Sequence, residues 1–158
     1  MNVLPLLLLP LLTALLVVPA KGLSQVRMVA LWGSILQLVL GFVLLYVYVR
    51  QRASGNDAPF LLEWKHTWYG PLGISFHLGV DGIALAMILL TAVVVLAGVL
   101  VSWNVAHMSK EFFFLLLLLA TGAYGFFMAL DLFSLFFFLE VAVLPKFLLI
   151  GIWGSGKK

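Results

Sequence analysis

Four stretches of this chain contain no charged residue: Met1 to Ala20, Met28 to Val49, Gly82 to Met108 and Phe112 to Leu130. Each reaches or nearly reaches the roughly 20 residues that a helix needs to cross a hydrocarbon layer about 30 Å thick. Composition points the same way. The chain is 65% hydrophobic and 9% charged, whereas soluble domains hold roughly 45–50% apolar and about 25% charged residues. A transmembrane barrel would show segments of about 10 residues alternating apolar and polar. Runs such as Leu115–Leu119 do not alternate. The expected fold class is an all-α membrane protein with about five transmembrane helices.

The expected spans are about 1–20, 28–49, 79–103, 112–130 and 132–153, in one membrane domain over 1–158. Val18 and Ala20 would suit signal-peptide cleavage, but no positive charge precedes the first apolar run, so it reads as a retained helix. Pro5, Pro10 and Pro19 interrupt it, which membrane helices tolerate when neighbours satisfy the freed backbone groups. Lys21 to Arg27 reads as a short basic turn. Residues 50–78 form the one change in composition, with Ser54, Gly55, Asn56, Asp57, Pro59, Glu63, Lys65 and His66 among Trp64, Trp68 and Tyr69. That mixture predicts an extramembrane loop, with a short hairpin, lying partly on the interface where such aromatics anchor.

Lys21, Arg27, Lys110, Lys157 and Lys158 fall on one side of this topology, against Arg50, Arg52 and Lys65 on the other. The excess marks the first side as cytoplasmic, with the N-terminus outside and the Lys158 end inside. The net charge of +3 is spread over loops and is no nucleic-acid footprint. The chain has no Cys, which excludes disulfides, thiolate chemistry and cysteine-held clusters.

Ionisable residues inside spans are the candidates for chemistry. Glu140 lies near the middle of the fifth span, where a charge facing lipid costs about 2.5–3.5 kcal/mol on insertion scales. Such residues usually face a bundle interior and mark ion or proton pathways. Hydrocarbon disfavours the charged form, leaving a carboxylic acid that exchanges its proton when water or a cation approaches. The plainer reading is a protonated Glu gluing two helices. Lys146 is six residues on, roughly 120° round the helix, a poor geometry for a pair with Glu140; snorkelling to the surface is its simpler role. Pro145 leaves the Val141 carbonyl without its helical donor, a weak point that could admit water beside Glu140, or a packing feature. Asp131 and Asp81 stand at helix starts and suit N-caps, with a proton-path role the alternative for Asp81.

Several patterns carry less. Gly151 to Lys157 matches G-x-x-x-x-G-K, but Lys158 stands where Ser or Thr must hold magnesium and no strand precedes it. His66, His77 and His107 lack ligand spacing, so no metal site is expected. The clusters Phe112–Phe114, Phe126–Phe127 and Phe136–Phe138 read as packing or lipid contact. Gly82 and Ala86, four apart, predict a small-residue surface for close helix contact.

Two segments carry a resemblance. Gly73-Ile74-Ser75-Phe76-His77-Leu78-Gly79-Val80-Asp81-Gly82-Ile83 resembles the start of the third helix in subunit M (chain 4) of respiratory complex I. Asp131-Leu132-Phe133-Ser134-Leu135-Phe136-Phe137-Phe138-Leu139-Glu140-Val141-Ala142-Val143-Leu144-Pro145, with Leu148 to Gly154 after it, resembles the fifth. The likeness covers the whole chain but only the first third of such a subunit, which has about fourteen helices and is similar to multisubunit sodium/proton antiporters. It implies a piece of a proton-translocating membrane-arm subunit of NADH–quinone oxidoreductase.

Under that resemblance Glu140 matches the fifth-helix glutamate that couples with a lysine on the seventh helix, beyond residue 158. Lys146 departs from the apolar residue, often Met, that follows that proline. The partners implied are other membrane-arm subunits and the bilayer. NADH, flavin, iron–sulfur clusters and quinone are expected in other subunits, with no cofactor and no redox catalysis in this chain alone. A bacterial inner membrane is the expected location, a mitochondrial one the alternative. The D subunit of a multisubunit sodium/proton antiporter, a membrane-bound hydrogenase counterpart and a non-conducting scaffold remain competing functions.

Overall fold

The computed structural model of the protein describes residues 2–156. Met1, Lys157 and Lys158, which enter the expected first span, the G-x-x-x-x-G-K match and the charge count, lie outside the described residues. Among the described residues the order is α1 (Leu4–Val17), α2 (Gly22–Ala53), β1 (Leu61–Tyr69), β2 (Ile74–Val80), α3 (Gly82–Val101), α4 (Ser109–Met128) and α5 (Leu132–Trp153). Four of these helices, α2 to α5, are long and apolar enough to cross a membrane.

The boundaries differ from the expected spans for identifiable reasons. α1 has 14 residues, about 21 Å at 1.5 Å per residue, so the first span is shorter than 1–20. Pro5 sits in its first turn, where an N–H is not needed, and beyond Val17 the chain turns through Val18 and Pro19. α2 has 32 residues, roughly 48 Å. It takes in the stretch from Gly22 to Arg27, so that segment is helix and not a basic turn. α3 starts at Gly82 rather than 79, because the Asp81 carboxylate accepts the Ala84 N–H at 2.7 Å and Gly79 and Val80 belong to β2.

The loop between α2 and α3 does contain a hairpin. β1 and β2 pair antiparallel, Lys65 opposite His77 and Thr67 opposite Ser75, with irregularities between Leu61 and Trp64 and between Thr67 and Tyr69. Gly73, at φ 68°, makes the turn between them, a left-handed conformation that glycine adopts without strain. The fold is therefore helical with one two-stranded sheet.

The hairpin clamps the corner between α4 and α5. The Leu130 N–H donates to the His77 carbonyl at 2.8 Å, and the His77 N–H donates to the Ser134 hydroxyl at 3.1 Å. Phe76 packs edge-on to Phe133 and Phe137 and stacks on Trp68. The Asp131 carboxylate caps α5 by accepting the Ser134 N–H at 3.3 Å.

α4 is the hub, touching the other four helices. Its buried residues run from Phe113 to Met128 and include Gly122 and Gly125. Helix association in lipid depends on close packing rather than on a hydrophobic drive between helices. The close approaches are at these glycines: a Cβ on Gly122 would lie 2.5 Å from the Ala142 backbone nitrogen, and one on Gly125 would overlap the Phe138 ring. Gly33 likewise faces Thr13 where α1 crosses α2. The expected surface of Gly82 and Ala86 is not one of these contacts. Both residues are exposed, because α3 turns Ala84, Leu85, Ile88 and Ala92 inward.

Candidate functional site

The orientation of α5 decides where Glu140 points. Its buried residues are Ser134, Phe138 and Pro145, and Ala142 meets Gly122 of α4. Phe138, Ala142 and Pro145 follow the i, i+4, i+7 spacing of one helix face. Glu140 is two steps from Phe138 and two from Ala142, about 200° round in each direction. It therefore lies opposite the α4 seam and is exposed on the outer side of α5. It lines a shallow groove of about 350 Å³ with Phe133, Phe136, Phe137, Val141 and Leu144.

Among the described residues Glu140 makes no hydrogen bond or ion pair, and neither does Lys146, which is also exposed. Pro145 is buried. Asp81 is occupied as the N-cap of α3, at the hairpin end of the bundle, while Glu140 lies within α5. The four candidate residues are thus not gathered into one site by these five helices. Glu140 presents a carboxyl group on an otherwise apolar wall, available to whatever covers that wall.

The histidines are dispersed. His77 pairs with Glu63 across the hairpin, Nε2 to Oε2 2.7 Å. His66 stacks on Trp64, and the His107 carbonyl accepts the Trp153 indole N–H at 2.9 Å. No three His, Asp or Glu side chains converge among the described residues. Gly151 to Trp153, the start of the G-x-x-x-x-G-K match, form the last turn of α5.

A polar junction inside the bundle was not singled out by the sequence patterns. Pro10 has no N–H to donate to the Leu6 carbonyl, and the Gln37 side chain of α2 supplies the donor, Nε2 to O 2.9 Å. Tyr124 of α4 approaches the same amide. The available signal was the combination of an internal proline in one apolar run with a lone Gln in the next.

The chain matches relatives of one kind over most of its length. It is 37% identical over 138 residues to NADH-quinone oxidoreductase subunit M of Pseudomonas aeruginosa, covering 80% of this chain and 27% of the relative. Over this stretch the chain is homologous to subunit M/chain 4. It is also 33% identical over 152 residues to NAD(P)H-quinone oxidoreductase chain 4-2 of Synechocystis, covering 95% of this chain and 26% of that one. A chain 4 of Microcystis aeruginosa is 35% identical over 153 residues, covering 96% of this chain and 27% of the relative. The chain spans about a quarter of the length of the curated relatives it matches.

No family model matches the chain. Among solved structures it is similar to a chain of the membrane-bound sulfane sulfur reductase, an archaeal respiratory membrane complex. The TM-score is 0.72 at 24% identity, with 96% of this chain and 30% of that one covered. That likeness establishes the fold. The subunit M/chain 4 homologue is a multi-pass membrane protein.

Proposed function

We propose that this chain is part of a proton-translocating membrane-arm subunit of an NADH–quinone oxidoreductase, with Glu140 as a proton carrier. The observation that carries this reading is the placement of Glu140 within α5, on the face turned away from the α4 seam. A carboxyl group left on a lipid-facing wall would be a burden of about 2.5–3.5 kcal/mol if charged. Packed under further helices, the same group can hold a proton while neutral and release it when a cation or water comes close. The relatives' length leaves some three quarters of such a subunit to supply that cover. Subunit M and chain 4 relatives are named for quinone oxidoreductases, which favours this reading over an antiporter or a scaffold.

Electron transfer is assigned to other subunits, with NADH, flavin, iron–sulfur clusters and quinone bound there, and the partners of this chain are neighbouring membrane-arm subunits. The location is a bacterial inner membrane. The hairpin faces outside and the connections from Val18 to Lys21 and from Ser102 to Met108 face the cytoplasm.

The test uses the full-length subunit in its assembled complex, measuring NADH-driven proton uptake into vesicles with assembly quantified alongside. Glu140→Gln preserves shape and hydrogen bonding but cannot ionise; it is expected to abolish coupled transport with assembly intact. Glu140→Asp is expected to retain part of it. A fully assembled Glu140→Gln complex pumping at the normal rate would remove the proton-carrier assignment and leave the glue role.

A further inference from the structure

Arg50 and Arg52 stand two residues apart at the hairpin end of α2, and the fold uses them differently. Arg52 is committed to the loop that follows, where its Nη1 donates to the carbonyls of Asn56 at 3.0 Å and Ala58 at 2.6 Å. Arg50 is exposed, and among the described residues its one hydrogen bond runs from Nη1 to the Tyr46 hydroxyl at 3.0 Å. Its guanidinium carbon lies 5.6 Å from the centre of the Tyr46 ring, within reach of a cation–π contact. A guanidinium carries several N–H donors in a fixed fork. This one is held in place by one of them and presents the rest.

Below that group runs an apolar furrow between α1 and α2. Leu36, Val39 and Val43 of α2 face Pro5, Leu8 and Leu12 of α1 across it, its volume is about 510 Å³, and no polar side chain lines it. Val39, Val43, Tyr46 and Arg50 follow the 4, 3, 4 spacing of one helix face, so Arg50 heads the wall of the furrow with Tyr46 between. A second hollow of about 430 Å³ shares Leu9, Leu12 and Leu36 with the first and continues to Trp32 and Met28. From Val43 to Met28 is about 22 Å along the helix, more than half of a hydrocarbon layer about 30 Å thick. One acyl chain of a single leaflet can lie there at full length.

Two observations select the occupant. Over the stretch from Leu36 to Val43 the 510 Å³ corresponds to a cross-section of about 50 Å², whereas a helix 10–12 Å in diameter needs roughly 80–110 Å². The furrow has room for hydrocarbon chains and not for a whole helix. The charge-free run of α2 ends at Val49, which puts Arg50 at the boundary between hydrocarbon and headgroups, the level of phospholipid phosphates. Lipid tails are as apolar as leucine, so the furrow alone would not hold one molecule in preference to its neighbours. A phosphate on the free fork of Arg50 would, because arginine binds phosphate through paired, charge-assisted hydrogen bonds.

We infer that this furrow binds one phospholipid of the leaflet on the hairpin side, its phosphate on the Arg50 guanidinium beside Tyr46 and an acyl chain along the wall between α1 and α2. The site does not depend on the role given to Glu140.

The experiment is a cryo-electron-microscopy map of the full-length subunit in its assembled complex, extracted in a detergent without phosphate groups. Density for a phospholipid is expected, with its phosphate within about 4 Å of the Arg50 guanidinium, the reach of an ion pair, and a chain between Leu8 and Val39. A furrow that holds a protein segment, a lipid whose head lies away from Arg50, or nothing ordered overturns the inference. In the Arg50→Gln complex the lipid density is expected to be lost with α1 and α2 in place; unchanged density shows that the charge does not hold the phosphate and overturns it equally. Val39→Trp, at an exposed position of the wall, fills the same space and is expected to displace the chain. A chain still seated there would place the lipid elsewhere and overturn the inference as well.

Discussion

Pro10 shows how one residue reaches across the sequence. Removing an N–H inside α1 strands the Leu6 carbonyl, and the donor that replaces it comes from Gln37, in another helix. The two residues should be energetically coupled. Gln37→Leu leaves the buried carbonyl unmet and is expected to destabilise the subunit by about 1–3 kcal/mol. Pro10→Ala in that background restores the helix's own donor and is expected to recover most of the loss. Thermal unfolding of the complex carrying each single and the double variant measures the coupling. Independent, additive losses would show that Gln37 is not the proline's substitute donor.

At the scale of elements, the seam between α4 and α5 positions Glu140. The backbone of Ala142 stands where a Gly122 side chain would be, 2.5 Å from its Cβ. Backbone cannot yield as the end of a flexible side chain can. Gly122→Ala is therefore expected to separate the helices and destabilise the subunit by about 1–3 kcal/mol, the range of overpacked interiors. Gly151→Ala, with nothing within 4 Å of its Cβ among the described residues, is expected to leave assembly unchanged. The yield of assembled complex on native gels compares the two. Equal yields would mean that the glycine contact is not needed.

The seam also marks what could and could not be read in advance. Charge-free runs locate helices because lipid penalises every exposed charge, whichever way a helix turns. Small residues do not say which face meets a neighbour: Gly82 and Ala86 had the same spacing logic as a packing pair, yet α3 turns them outward. The facing of Glu140 depends on the same unknown, since only the position of Phe138 and Ala142 against α4 reveals it. The bounds of the hairpin were hidden for another reason. His77 to Val80 reads as the approach to an apolar helix until Asp81, by capping at Ala84, stops the helix and leaves strand before it.

For the whole molecule, the connections alternate between two ends. Asp57, Glu63, Asp81 and Asp131 lie with Arg50, Arg52 and Lys65 at the hairpin end, while Lys21, Arg27, Lys110 and Glu111 lie at the other. Among the described residues the basic groups at the two ends balance at three and three, with Lys146 inside α5 besides, so the proposed orientation rests on the sequence count of Lys157 and Lys158. Because residues 1–158 hold no cysteine, a single thiol introduced there is the one reactive thiol of this stretch, and the unsubstituted protein serves as the labelling control. Ser54→Cys, at an exposed position beyond α2, is expected to react with an impermeant maleimide from outside intact cells. Ala106→Cys, exposed between α3 and α4, is expected to react only in inverted vesicles. The opposite pattern would reverse the orientation.

The shortness of α1 has a consequence for the lipid itself. At about 21 Å it stops some 9 Å short of a 30 Å hydrocarbon layer, and at its foot the Lys110 ammonium is tied to the Val18 carbonyl at 3.0 Å. Where α1 borders lipid, headgroups and water are expected to sink towards that ammonium, thinning the bilayer beside α1, while α2, more than twice as long, can tilt to suit a thicker one. Mismatch of this kind costs fractions of a kcal/mol per Å. The corner at α1 is consequently where sensitivity to the acyl-chain length of the host membrane is expected, with thicker membranes straining it there first.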